Sequence, residues 1–277
     1  MSKVQKVQKN TELCIWYFVL LTMFYLLFSY PKFLWRSTNK HGIHSPFVYQ
    51  LVTQGFNAKI SDETIRQFTD YNDFLRKNKT QIRVTDFGAG SKVFRSNLRK
   101  VSDIARYAGT PLLKQKLVYK IMNHLKCKEI LELGTSLGMG SLALAMSPEN
   151  QLTTLEGCPE TAAVASETLK HFGKTNITVQ VGKFEDILPN FNKKWDAVFM
   201  DGGHNFEKTW SYFEMILPQI HNDTVIILDD IYLNKEMTSV WQQLKKHPQV
   251  TISIDIFHYG LLFFRKEQTP ESFIIRV

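Results

Sequence analysis

Four short apolar runs in this chain stop abruptly at an acidic residue or a glycine. Residues 128–133 run into Gly134, and residues 151–155, 195–200 and 224–228 end at Glu156, Asp201 and the pair Asp229-Asp230. Between them, residues 141–145, 206–217 and 237–246 carry apolar side chains at helical spacing, so strands are expected to alternate with helices. The alternation predicts a parallel sheet, because a parallel connection needs a crossover long enough to hold a helix. The C-terminal ends of such strands share one rim, where doubly wound sheets bind ligands, and the acids and the glycine turn are expected to meet there.

The glycine turn has the composition of a cofactor loop. Gly134, Gly138 and Gly140 let the backbone approach a ligand with no Cβ in the way, and the N–H groups at the start of the next helix face it. Glu156 lies 24 residues after Glu132, where a carboxylate can accept both hydroxyls of a ribose. The spacing is E-x-G-x3-G rather than G-x-G-x-x-G, which disfavours NAD. Further along, Asp201, Asp229 and Asp230 suit a hard divalent cation, Mg²⁺ by default with Ca²⁺ or Mn²⁺ as alternatives. His204 stands three residues after Asp201 and can take a proton from a hydroxyl, since a free imidazole titrates near ~6.5. The structural alternatives are that His204 caps a helix beginning at Asn205, and that Asp229 and Asp230 lie in a solvated loop.

The stretch Leu131-Glu132-Leu133-Gly134-Thr135-Ser136-Leu137-Gly138 resembles the S-adenosylmethionine (SAM) loop of class I methyltransferases. It is most like the metal-dependent O-methyltransferase branch that includes the catechol and caffeoyl-CoA enzymes, with the resemblance running from about residue 110 to 266. The fold implied is a doubly wound α/β sheet of seven strands with a C-terminal antiparallel hairpin, which residues 250–257 and 261–265 would form. The resemblance also implies that Glu132 lies near the methionine ammonium, that Gly134, Thr135, Ser136 and Gly138 line the cofactor, that Glu156 with Gly157 holds the ribose, and that Lys183 and Phe184 cup the adenine. Asp201, Asp229 and Asp230 would hold the metal that grips two vicinal acceptor oxygens, although the family has Asp-Asn where this chain has Asp229-Asp230. Asp201 would also touch the cofactor and act in catalysis with His204, which stands where the family carries its catalytic lysine. The implied activity is methyl transfer from SAM to oxygen of a small-molecule or lipid-like acceptor, assisted by a metal. Two other readings stand beside it: a catalytically inactive SAM-fold interaction protein on a membrane, and a metal-dependent hydroxylase or hydrolase built on the carboxylates.

The first part of the chain is organised differently. Residues 1–130 contain 22 Lys and Arg against 8 Asp and Glu, although the whole chain carries a net charge of only +8. Residues 13–30 are uncharged and as a helix would extend about 27 Å, which is just enough to span a bilayer. The expectation is a membrane anchor with the catalytic part in the cytoplasm, where SAM is made; a helix docked on protein in a soluble cytoplasmic chain is the alternative. The division expected is an anchor at 1–36, a basic helical extension at 37–108 and a SAM-binding domain at 109–277. Within the extension, Ser45 and Pro46 open a helix next to the paired His41 and His44, and residues 41–52 resemble the N-terminal signature of uncharacterised bacterial methyltransferase-like proteins. Residues 84–91 imitate the cofactor loop, but Lys92, Arg95 and Arg99 follow and suit a phosphate or carboxylate on the substrate, with a solvated basic loop as the alternative. The expected partners are the acceptor, a membrane surface through residues 13–30 and a second copy of the chain. No nucleic acid is expected, because no reader module is present. Cys14, Cys127 and Cys158 are scattered, which suits a reducing compartment.

Overall fold

The computed structural model describes residues 25–85 and 96–277. Helix α1 covers residues 25–36. It is followed by α2 (Pro46–Gln50), which continues as a π-helical turn (Leu51–Phe56), then α3 (Asp62–Lys77), an antiparallel pair β1 (Gln81–Arg83) and β2 (Leu98–Lys100), α4 (Val101–Tyr107) and α5 (Leu112–Leu125). The rest alternates: β3 (Glu129–Leu133), α6 (Met139–Leu144), β4 (Gln151–Glu156), α7 (Pro159–His171), β5 (Ile177–Val181), α8 (Phe184–Ile187), β6 (Trp195–Met200), α9 (Phe206–Ile216), β7 (Ile220–Asp229) and α10 (Lys235–Leu244). Three strands close the chain: β8 (Ile252–Asp255), β9 (Tyr259–Phe263) and β10 (Glu271–Ile274).

Across the sheet the strands run in the order β5-β4-β3-β6-β7-β9-β8-β10. Strands β3 to β7 are mutually parallel and β9 runs against both β7 and β8, so the expected reversed hairpin is present. The sheet has eight strands, not seven. The extra one, β10, adds parallel to β8 at the edge. It is only partly buried and follows a polar stretch ending in Pro270, so its sequence carries neither a long apolar run nor a clear alternation.

Both faces of the central strands are covered, and the side chains sort between two cores with a period of two. Ile130, Ala197, Phe199, Val225, Ile227, Leu261 and Phe263 belong to one core, while Leu131, Leu133, Val198, Met200, Ile226, Leu228 and Leu262 belong to the other. A strand buried on both sides needs no polar face, which is why these segments read as unbroken apolar runs. On the second face, α9 buries Thr209, Tyr212, Phe213 and Ile216, and α10 buries Met237, Val240, Trp241 and Leu244, both at helical spacing. Ser45 caps α2 as expected, its hydroxyl accepting from the Val48 N–H.

The first core joins the extension to the sheet. Val48, Leu51, Phe68, Tyr71, Leu75 and Ile104 pack in the same cluster as Ile130, Leu142 and Phe199. Helix α1 also docks on protein: the Tyr25 hydroxyl donates to Thr238 Oγ1 at 2.9 Å, and the Tyr30 and Phe33 rings meet Phe257 with centroids 4.8 and 5.3 Å apart. Among the described residues no helix is long and apolar enough to cross a membrane. Residues 13–24 of the apolar stretch lie outside the described residues, and so do residues 86–95 with Lys92 and Arg95.

Candidate functional site

A single rung of the sheet lays out the site. Leu133 on β3 pairs with Leu155 on β4 and with Met200 on β6, and Met200 pairs with Leu228 on β7. The next residue on each strand is therefore Gly134, Glu156, Asp201 or Asp229. In-register parallel pairing places at one level four residues that are up to 95 positions apart in the chain.

The glycine turn is built around positive φ angles. Gly134 has φ 106°, Ser136 48° and Gly138 79°. A Cβ at Gly134 would lie 2.5 Å from the Asp201 carbonyl oxygen, so glycine is required here both for conformation and for the close passage of β6. Glu156 holds the turn from the neighbouring strand: its two carboxylate oxygens accept the N–H groups of Ser136 at 2.8 Å and Cys158 at 2.9 Å. Thr135 is buried and shares a 2.6 Å hydroxyl contact with Thr154. Gly157 follows Glu156 and is half-buried.

Glu132 sits one level below the rung and is only 1% exposed. Its carboxyl accepts the hydroxyls of Ser141 and Thr154, tying the turn to α6 and β4. Burial raises its pKa to about 8, against the opposing effect of those two hydroxyls, and the charge of Glu156 adds to the rise. A free glutamate titrates near ~4.3, so between about pH 4.3 and 8 the folded protein holds a proton that the unfolded chain has lost, and stability falls as pH rises through that window. Glu132→Gln, which cannot ionise, is therefore expected to gain stability relative to wild type by up to ~1.4 kcal/mol per pH unit across the window. Paired thermal melts from pH 5 to 8 would check this; a difference that does not grow with pH would contradict it.

The two residues expected to cup the adenine, Lys183 and Phe184, differ in placement. Phe184 packs over the rim, its ring 5.4 Å from that of Tyr212 and close enough to Gly202 that a Cβ there would lie 2.5 Å away. Lys183 is exposed.

The turn after β6 carries Asp201 and His204. Gly203 and His204 are left-handed, with φ 91° and 41°, and His204 Nε2 stands 3.5 Å from Asp201 Oδ1. The helix cap here is Asn205, whose side chain accepts from the Lys208 N–H, so the capping alternative for His204 is replaced by a contact with Asp201. Asp230 is left-handed too, at 53°. Ser136, His204 and Asp230 thus hold sparsely populated conformations at three turns of one rim, each costing on the order of 1–3 kcal/mol, and such strain concentrates at functional sites.

The carboxylates meet, but a residue absent from the sequence reading meets them too. Lys114, on α5, places Nζ 2.5 Å from Asp229 Oδ1 and 2.7 Å from Asp230 Oδ1. Burial alone would lower its pKa, but the two carboxylates hold it above the usual lysine value. Burial, with Asp230 beside it, pushes the Asp229 carboxyl up to about 7. Burial and both neighbouring aspartates raise Asp201. Asp230 is lowered: burial works against this, and Lys114 and His204 outweigh it. Among the described residues no group of three His, Cys, Asp or Glu side chains is arranged to hold a metal ion. His41 and His44 are both exposed.

Sequence reasoning also missed Tyr71 on α3, whose buried hydroxyl donates to the Leu137 carbonyl and lies 2.6 Å from where a Gly138 Cβ would be. No local pattern announces either Lys114 or Tyr71, since each acts across the tertiary fold. Arg99 is on β2, its Nε bonded to the Ser96 carbonyl at 3.1 Å. The Thr85 N–H, two residues past β1, donates to Cys158 Sγ, which brings that pair of strands next to the Glu156 turn.

Residues 131–231 match a protein family described as methyltransferase domain. The chain is 33% identical over 113 residues to a catechol O-methyltransferase of Niastella koreensis, covering 38% of this chain and 50% of that one. To the catechol O-methyltransferase of Sus scrofa it is 31% identical over 91 residues, or 32% and 49% of the two chains. The chain thus spans about half the length of these curated relatives. Among solved structures, the methyltransferase PaMTH1 of Podospora anserina, bound to SAH, superposes with a TM-score of 0.56 at 16% identity over 81% of this chain and 97% of that one. An O-methyltransferase of Bacillus cereus in complex with SAH gives 0.50 at 17% identity over 78% and 97%. At these identities the superpositions establish the class I methyltransferase fold.

Proposed function

We propose that this chain, with its methyltransferase domain at residues 131–231, transfers a methyl group from SAM to an oxygen of a small-molecule acceptor of the catechol type. The observation that carries the reading is the common rung: a glycine turn, a ribose-competent carboxylate and an Asp201–His204 pair at one level of the sheet. Glu156 suits the cofactor because it ends β4 beside the glycine turn, and carboxylate oxygens such as those that accept the Ser136 and Cys158 N–H groups can each accept more than one hydrogen bond. Phe184 offers an apolar ring beside the adenine position. When bound, SAM supplies a methyl group whose bond to a positively charged sulfur breaks as the acceptor oxygen bonds to carbon, the electron pair remaining on sulfur.

His204 takes the acceptor's hydroxyl proton, which turns a weak nucleophile into a competent one. Asp201 Oδ1, 3.5 Å away, stabilises the imidazolium that results. The rigid rim holds acceptor and methyl donor in register, and orientation supplies much of the acceleration. The test is label transfer from methyl-tritiated SAM by the full chain to a panel of vicinal diols and single phenols, with Asp201→Asn as control. Labelled ether product that disappears in the control is the expected result. SAM binding without label transfer to any oxygen acceptor would sink the O-methyltransferase reading, and absence of SAM binding would sink the cofactor assignment.

A further inference from the structure

The carboxylate pair at the end of β7 already has a cation. Lys114 is held in place from the opposite strand: the Tyr259 hydroxyl donates to its backbone carbonyl at 3.1 Å, and its ammonium lies 5.6 Å from the centre of the Tyr259 ring. The Lys114 side chain is 14% exposed and that of Asp229 is 5% exposed. Both Oδ1 atoms face Nζ, and Asp229 Oδ1 also accepts the Asp230 N–H at 2.7 Å. A divalent ion using the same oxygens would sit in contact with a largely buried ammonium, and like charges at such a distance repel, even though the Asp230 side chain is 38% exposed. The donor set therefore does not fit the metal that the family resemblance implies.

We propose that Lys114 is the resident cation of this site, so that it occupies the place of a divalent metal between Asp229 and Asp230 and the chain works without one. Lys114 is then a positioning residue. It offsets one of the pair's two negative charges and keeps both side chains fixed beside Asp201. Lys114 matches in size the extra negative charge that Asp230 brings relative to the family's Asp-Asn pattern, and supplies one positive charge where a divalent metal would supply two. That this serves methyl transfer rests on the function proposed above; occupancy of the cation position does not.

The experiment is a Mn²⁺ titration of the full chain followed by electron paramagnetic resonance, on wild type, Lys114→Gln, and Lys114→Gln combined with Asp229→Asn. Wild type is expected to take up no Mn²⁺ at this site, Lys114→Gln to gain at least roughly tenfold in affinity, and the double variant to lose that gain. Label transfer by wild type is expected to be unchanged by EDTA. Uptake by wild type that disappears on Asp229→Asn, or no gain in a Lys114→Gln protein that still melts cooperatively, would overturn the proposal. If Lys114→Gln does not fold, the wild-type titration and its Asp229→Asn control decide. Calorimetry with SAM on wild type separates the two claims: a chain that binds no SAM fails the methyltransferase reading, and the Mn²⁺ titrations still report on Lys114.

Discussion

His204→Ala is expected to lower kcat for methyl transfer by roughly 10²–10⁴-fold while leaving SAM affinity within a few-fold of wild type. The capping of α9 does not depend on it: Asn205 performs that role, and His204 Nε2 stands 3.5 Å from Asp201 Oδ1. Its loss should therefore fall on proton removal and not on folding. Its left-handed backbone, φ 41°, argues the same way, because a strained conformation persists where the side chain's position matters. Steady-state kinetics beside calorimetric SAM titration would read both quantities. Raising the pH should partly restore the variant with acidic phenols, which ionise without a base. Unchanged kcat in His204→Ala would remove it from the mechanism.

Glu156→Ala should weaken SAM binding by at least ~100-fold, since two hydrogen bonds to a charged acceptor contribute about 1.5–3 kcal/mol each. The same carboxylate organises the site before any ligand arrives, holding the Ser136 and Cys158 N–H groups. Glu156→Gln distinguishes the two contributions. It keeps an acceptor for one backbone N–H but loses the second acceptor and the charge, so an intermediate loss of affinity with an intact melting temperature is expected. If calorimetry finds Glu156→Ala binding SAM like wild type, the ribose assignment is wrong.

The legible part of the site was the part carried by consecutive residues. Gly134, Glu156, Asp201 and Asp229 could be placed on one rim because a buried parallel strand announces its own end, and the end of one strand fixes the level of the next. Ser45 and Asn205 illustrate the same locality, since a cap needs only the N–H three residues on. Strand β10 was missed because its stability comes from pairing with β8, not from its own pattern. The apolar stretch at residues 13–30 is described only from residue 25. Its described end, residues 25–30, docks Tyr25 on Thr238 and Tyr30 on Phe257 and leaves Leu27 and Phe28 exposed, and composition cannot distinguish a protein face from a lipid one.

By itself the sequence determined the α/β alternation, the reversed hairpin, the glycine turn and the acids at the rim. These follow from side-chain period and from the steric freedom of glycine, which are properties of neighbours in the chain. Only the tertiary structure decided what those acids meet. Lys114 reaches Asp229 and Asp230 from 115 and 116 residues away, and Tyr71 reaches Leu137 across 66. Whether a cluster of carboxylates is a metal seat or half of an ion pair depends on the net charge within a few ångströms. That charge is set by which helix packs over the rim, and no local pattern in the chain records it.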